Sequence, residues 1–230
     1  MPQDISGYDV GALLYCPANA HHTVAQAVAA ERLPRPFSLA LCLEDTVRAD
    51  ALAAAEQAVE QTLHDLTDAA RQETFYRPLT FVRVRSPEQL ARLGRAYGKY
   101  RPLLTGFILP KFFIETCGAY CAVIRDLQAD GLDYFYMPVF EAPSMLPLHT
   151  RHAALAEVKA QLDALRECIL NIRVGGNDLC HVFGLRRDPG HTIYDLRPVA
   201  DVLTDLLTTF APDYLVAGPV WEYYDGPGWA

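Results

Sequence analysis

Seven short apolar runs recur along this 230-residue chain, near residues 11–16, 38–43, 79–84, 105–110, 134–140, 168–174 and 213–219. Runs such as GALLYC, SLALCL and YFYMPVF do not alternate apolar with polar residues, as a half-buried strand would. They are therefore expected to be strands buried on both faces, the condition of a parallel sheet covered by helices. Between them lie helical patterns. Leu52, Ala55, Val59, Leu63 and Leu66 step by three and four along one face. Ser86-Pro87 is an N-cap followed by proline at the first helical position. Thr150 is a candidate cap for a helix carrying Leu155, Val158, Leu162 and Leu165, and Pro198 opens one carrying Val199, Val202, Leu203 and Leu206. Such alternation predicts βα units around a parallel sheet. Seven strands are too many for most small doubly wound sheets and one short of an eightfold barrel.

The expected fold is therefore α/β, a TIM (β/α)8-type barrel lacking its last strand and C-terminal segment, in a single domain over residues 1–230. Residues 213–223 read as a strand followed by Trp221-Glu222-Tyr223-Tyr224, after which the sequence stops at Ala230. A C-terminal truncation is expected on that ground.

Composition narrows the function. No stretch approaches the roughly 18 consecutive apolar residues of a membrane span, and the N-terminus lacks a secretory pattern. A soluble cytoplasmic protein is expected. A formal charge of −8 gives no reason to expect nucleic acid as a partner. The six cysteines show no C-x-x-C pair and are read as reduced, buried thiols. Cys117 and Cys121, with Cys180-His181, are a weaker zinc alternative.

Polar groups at the C-terminal ends of barrel strands are where such folds build active sites. Here they are Glu44-Asp45 after the second run, Arg83 in the third, Lys111 after the fourth, Glu141 after the fifth, and Gly175-Gly176-Asn177-Asp178 after the sixth. Glu141 and Asp178 lie about one βα unit apart, so their strands should be neighbours, about 4.8 Å from one another. Two carboxylates brought that close repel unless one is protonated or a cation lies between them. Mg²⁺ suits two carboxylates completed by water and a ligand oxyacid. Arg83 offers a donor fork for a carboxylate or an enolate oxygen; the alternative is an ion pair with Glu44 that plugs the barrel end. Glu44-Asp45 equally reads as a cap for the following helix, and Lys111 equally as a surface lysine. Gly175 and Gly176 permit close backbone approach to a ligand, without the spacing of a dinucleotide fingerprint.

At these residues the sequence resembles the citrate lyase beta-subunit family of the HpcH/HpaI aldolase superfamily. Leu14-Tyr15-Cys16-Pro17-Ala18-Asn19 is similar to its first strand and turn, and Leu41-Cys42-Leu43-Glu44-Asp45-Thr46-Val47 to its D-L-E-D-A-V segment. Phe81-Val82-Arg83-Val84-Arg85 resembles V-R-V-N, and Leu109-Pro110-Lys111 resembles L-P-K. Phe140-Glu141-Ala142-Pro143 resembles I-E-T-A, and Gly175-Gly176-Asn177-Asp178-Leu179 resembles G-x-E-D-L. The wording C-L-E-D, F-V-R-V-R and G-F-I-L-P-K is closest to TIM-barrel carbon–carbon bond lyases associated with tellurite-resistance and stress-response gene clusters.

The resemblance implies Mg²⁺ on Glu141 and Asp178, Arg83 at the enolate oxygen, and Glu44 and Asp45 in support, with Lys111 among the catalytic candidates. Gly176 and Asn177 join Arg83 as substrate-binding candidates. The implied activity is a Mg²⁺-dependent lyase or aldolase acting on a small oxo- or hydroxy-acid. Two basic positions by which better-known members recognise CoA are not basic here, at Gly11-Ala12 and His21-His22, which counts against a CoA thioester. In malyl-CoA lyases a C-terminal segment reaches a neighbouring subunit, so a homo-oligomer is implied. The competing expectation, drawn from the missing strand and lost basic residues, is a non-catalytic barrel binding a metabolite or partner in a stress-response complex.

Overall fold

Each of the seven apolar runs overlaps a strand, and all seven strands join one parallel sheet in the sequential order β1 to β7. The computed structural model describes residues 5–72, 74–186, 188 and 190–218. The strands are β1 (Leu13–Pro17), β2 (Ser38–Cys42), β3 (Thr80–Arg83), β4 (Leu104–Leu109), β5 (Phe135–Phe140), β6 (Ile172–Val174) and β7 (Val216–Ala217). The helices are α1 (His21–Ala29), α2 (Leu52–Gln72), α3 (Pro87–Ala96), α4 (Cys117–Ala129), α5 (Leu148–Asp163), α6 (Gly176–Val182) and α7 (Arg197–Phe210). Sequential parallel order with helical crossovers is the topology of a TIM barrel, of which the described residues supply seven strands. The expected segment around Trp221-Glu222-Tyr223-Tyr224 lies outside the described residues, as do the side chains of His21-His22.

Two apolar layers hold the sheet. The larger packs the outward strand residues, such as Leu39, Val82, Phe107, Tyr136 and Phe140, against the helices. In α2, Ala55, Val59, Leu63 and Leu66 are buried in it, so the stripe read from the sequence is the packed face. Burying a leucine or valine of this kind contributes about 1.5–3 kcal/mol. The smaller layer fills the barrel interior with Ala40, Phe81, Ile108, Met137, Val139 and Leu170, and Val10 closes it from the N-terminal end. That interior filling stops at Val139, one inward position below Glu141.

Helix starts follow the sequence in part. Ser86 accepts a hydrogen bond from the Gln89 backbone N–H at 3.3 Å, and Pro87 opens α3. Pro198 lies in the first turn of α7, whose Val199, Val202, Leu203 and Leu206 are buried. Thr150 is not a cap: Pro147 holds that position for α5, and the Thr150 hydroxyl turns back to the Pro147 carbonyl. Glu44-Asp45 does not cap α2 either. A 3-10 turn at Ala49–Ala51 precedes that helix, with Arg48 at its start. Asp178, expected after the sixth strand, sits in the first turn of the short helix α6.

Among the described residues no helix is long and apolar enough to cross a membrane. The six cysteines are free thiols, five of them buried. Burial pushes Cys121 up to about 11 and Cys168 up to about 12, which keeps both protonated and inert.

Candidate active site at the C-terminal mouth of the barrel

Arg83 ends β3 pointing into the barrel mouth, and its Nη2 gathers three carboxylates. Glu44 Oε2 lies at 2.8 Å, Glu141 Oε1 at 2.9 Å and Asp45 Oδ2 at 3.5 Å. Both Arg83 and Glu141 are shielded, with side-chain exposures of 13% and 2%. The Nε–H of Arg83 is buried and unpartnered. The ion pair with Glu44, the alternative that the sequence offered for Arg83, therefore exists, and Arg83 also lines the cavity of Glu141 and Asp178. Burial opposes the Arg83 charge, but Glu141 and Glu44 outweigh it and hold the guanidinium protonated.

Glu141 follows β5, and its two oxygens differ. Oε1 accepts from Arg83 Nη2 and from the Lys111 backbone N–H at 3.1 Å. Oε2 has no donor among the described residues and lies over Gly175, where an added Cβ would come within 2.3 Å of it. The close approach that glycine permits at 175 is thus to this carboxylate. Burial pushes the Glu141 carboxyl up to about 7, Asp178's charge adds to the rise, and Arg83 pulls it down.

Lys111 has a left-handed backbone, φ 49°, which aims its N–H at Glu141 while its Nζ reaches Glu44 Oε1 at 2.9 Å. Glu44 is 6% exposed, and burial raises its carboxyl, as does its contact with Asp45. The hydrogen bond with Glu44 in turn holds the Asp45 carboxyl low.

Asp45, Arg83, Glu141, Gly176, Asn177 and Asp178 line one cavity of about 260 Å³. Glu44 and Lys111 line its neighbour, of about 320 Å³, with Asp45 common to both. A larger cavity of about 540 Å³ opens at the opposite end, near Arg77, Arg101 and Asp133, away from this cluster.

Two residues were given no role by the sequence. Arg85 pins the segment after β2: its Nε donates to the Leu43 carbonyl at 2.6 Å, and its Nη2 to the carbonyls of Glu44, at 3.0 Å, and Val47. Its spacing of two from Arg83 is the signal that it shares the same side of the chain. Arg173, inside the sixth apolar run, also lines the 260 Å³ cavity.

Among the described residues no three or more His, Cys, Asp and Glu side chains converge as a ready metal cage. Glu141 and Asp178 form a two-carboxylate donor set, which is what Mg²⁺ uses when water and ligand oxygens complete its shell. The free Oε2 of Glu141, opposite an oxygen already fixed by two donors, fits that role.

The model of a family described as C–C bond lyase of the TIM-barrel fold matches residues 4–228. The chain belongs to that family. Two solved structures show a similar fold. One is a citrate lyase beta subunit from M. tuberculosis complexed with oxaloacetate and magnesium. It is 20% identical with a TM-score of 0.57, over 92% of this chain and 80% of that one. The other is a protein named CitE from Mycobacterium tuberculosis, in complex with magnesium, acetoacetate and coenzyme A. Here too identity is 20%, with a TM-score of 0.58, over 90% of this chain and 64% of that one. This chain thus spans just under two thirds of the second structure's length. At this identity the likeness speaks to fold. A comparison with curated proteins gives no match.

Proposed function

We propose that the chain is a Mg²⁺-dependent carbon–carbon bond lyase or aldolase acting on a small oxo- or hydroxy-acid. The observation that carries this reading is the asymmetry of Glu141: Oε1 held by Arg83 and the Lys111 N–H, Oε2 unengaged, with Asp178 lining the same cavity. Magnesium in the complexes of the two similar structures supports the choice of ion.

Glu141 and Asp178 would hold the ion, which when bound supplies Lewis-acid stabilisation to an oxyanion. The remaining work falls to the chain's own residues. Arg83 lines the cavity and would meet the substrate's oxygen with its guanidinium, strengthening its hold as negative charge develops there, which lowers the barrier. Glu44, fixed by Arg83 and Lys111, keeps the guanidinium in one orientation before substrate arrives. Gly176 and Asn177, at the start of α6, flank the substrate.

The test is incubation of the protein with Mg²⁺ and a panel of hydroxy- and oxo-acids, with and without acyl donors, following release of pyruvate, glyoxylate, oxaloacetate or acetyl product. Turnover is expected to fall about 100-fold or more in Glu141→Gln, since an electrostatic anchor of the developing charge is lost. Mg²⁺-dependent ligand binding with no product from any member would instead favour a binding barrel without catalysis.

A further inference from the structure

The sixth apolar run, residues 168–174, holds one charged residue, Arg173. In a strand buried on both faces a guanidinium is tolerated only where it reaches a partner or a cavity. The structure supplies the cavity and also the irregularity that turns Arg173 towards it. Tyr136 pairs with Ile169 and Val139 with Arg173, so β5 advances three residues while the facing strand advances four. The extra residue is a β-bulge within residues 170–172.

Side chains alternate with a period of two along a strand. Ile169 and Ile172 both pack outward against the helices, and Leu170 packs in the barrel interior. Without the bulge, Arg173 would face outward with Ile169. With it, Arg173 shares the inward face with its partner Val139 and lines the cavity of Arg83, Glu141 and Asp178. The bulge carries a cost: Asn171 is 2% exposed and its Oδ1 has no partner.

The two arginines of this cavity are in different states. Arg83 is committed to Glu44, Asp45 and Glu141. Arg173 is partly exposed and makes no hydrogen bond or ion pair among the described residues. An inward-aimed, uncommitted fork in a cavity of about 260 Å³ matches one further carboxylate of a small ligand. A phosphoryl group, with three oxygens and nearly two charges, calls for more donors than one fork provides.

We propose that Arg173 binds a second carboxylate of the substrate, so that the site selects small dicarboxylic oxo- or hydroxy-acids over their monocarboxylic counterparts. This rests on the oxyacid site assigned above to Glu141, Asp178 and Arg83. Arg173 sets specificity and takes no part in bond cleavage.

The test is calorimetric titration of the full chain in excess Mg²⁺, comparing malate with lactate, 2-oxoglutarate with 2-oxobutyrate, and malate with 2-phosphoglycolate. Each diacid is expected to bind at least about tenfold tighter than its monoacid, the worth of one charge-assisted pair. Arg173→Gln should bring each diacid down to the affinity of its monoacid while leaving monoacid and Mg²⁺ binding unchanged, and Arg173→Lys should retain part of the preference. Equal binding of diacids and monoacids by the wild-type chain overturns the proposal without any variant. A preference that survives Arg173→Gln, or 2-phosphoglycolate binding far tighter than malate, overturns it as well. A repeat in EDTA separates the two readings. A diacid preference that depends on Arg173 without metal, in a chain that binds no Mg²⁺, would sink the lyase proposal and leave the role of Arg173 standing.

Discussion

Glu141 joins two demands that pull against one another: it is 3% exposed, yet Arg83 and the Lys111 N–H are arranged for its charged form. Burial wins and lifts the carboxyl from the ordinary 4.5 to about 7. Between those values the folded state holds a proton that the unfolded state has released, so stability should fall as pH rises through that window. Thermal melts in EDTA from pH 4.5 to 7.5 check the direction, and Glu141→Gln should flatten that part of the profile. Gly175→Ala tests the packing of the same side chain. Its Cβ would meet Oε2 at 2.3 Å, so the carboxylate must shift. We expect a loss of about 1–3 kcal/mol in stability from overpacking and about 10–100-fold in Mg²⁺ affinity, read by denaturant melts and calorimetry. At this scale the sequence was legible where strand ends put polar groups in order: Arg83, Glu141 and Asp178 meet in one cavity as their spacing predicts. Lys111 is harder to read because its contribution to Glu141 comes through a backbone N–H, set by a positive φ that no residue type at 111 announces.

The segment between β2 and α2 is the element on which the site depends most. It carries Glu44 and Asp45, and no regular hydrogen-bond ladder holds it beyond Leu43, whose N–H reaches the Arg83 carbonyl at 3.0 Å. Arg85 supplies the missing restraint by donating to three of its carbonyls. Arg85→Leu should cost about 1–3 kcal/mol by leaving buried acceptors without a partner. It should also lower turnover by loosening Glu44, while Mg²⁺ affinity stays near wild type. Equal losses in both would show that the segment also shapes the metal pair. Strand existence was readable from unalternating apolar runs, and strand limits were not. Residues 168–174 read as one continuous strand, whereas a 3-10 turn at Arg166–Cys168 and the bulge leave only Ile172–Val174 as regular ladder. Apolar content is the same in a strand and in a turn that packs inward, so composition alone gives no boundary. Helix α6 was hidden for the opposite reason, since seven residues are too few to show a period.

Across the whole molecule, sequential parallel strands place every candidate residue at one end of the sheet, because each follows or ends a strand pointing the same way. That is why a constellation spread over residues 44 to 178 can be read from sequence order once the barrel is recognised. The family match over residues 4–228 agrees with this reading of the fold. Electrostatics at this scale agree with the proposed cation. Asp45, Glu141 and Asp178 outnumber Arg83 and Arg173 around the cavity, so a bound divalent ion would turn the lining from net negative to net positive and favour entry of an anionic substrate. The most direct test is calorimetric titration of Mg²⁺ into the wild-type chain and into Asp178→Ala. One ion should bind per wild-type chain, with affinity lowered about 100-fold or more in the variant, as expected when one of two carboxylate ligands is removed. Unchanged Mg²⁺ affinity in Asp178→Ala would contradict it.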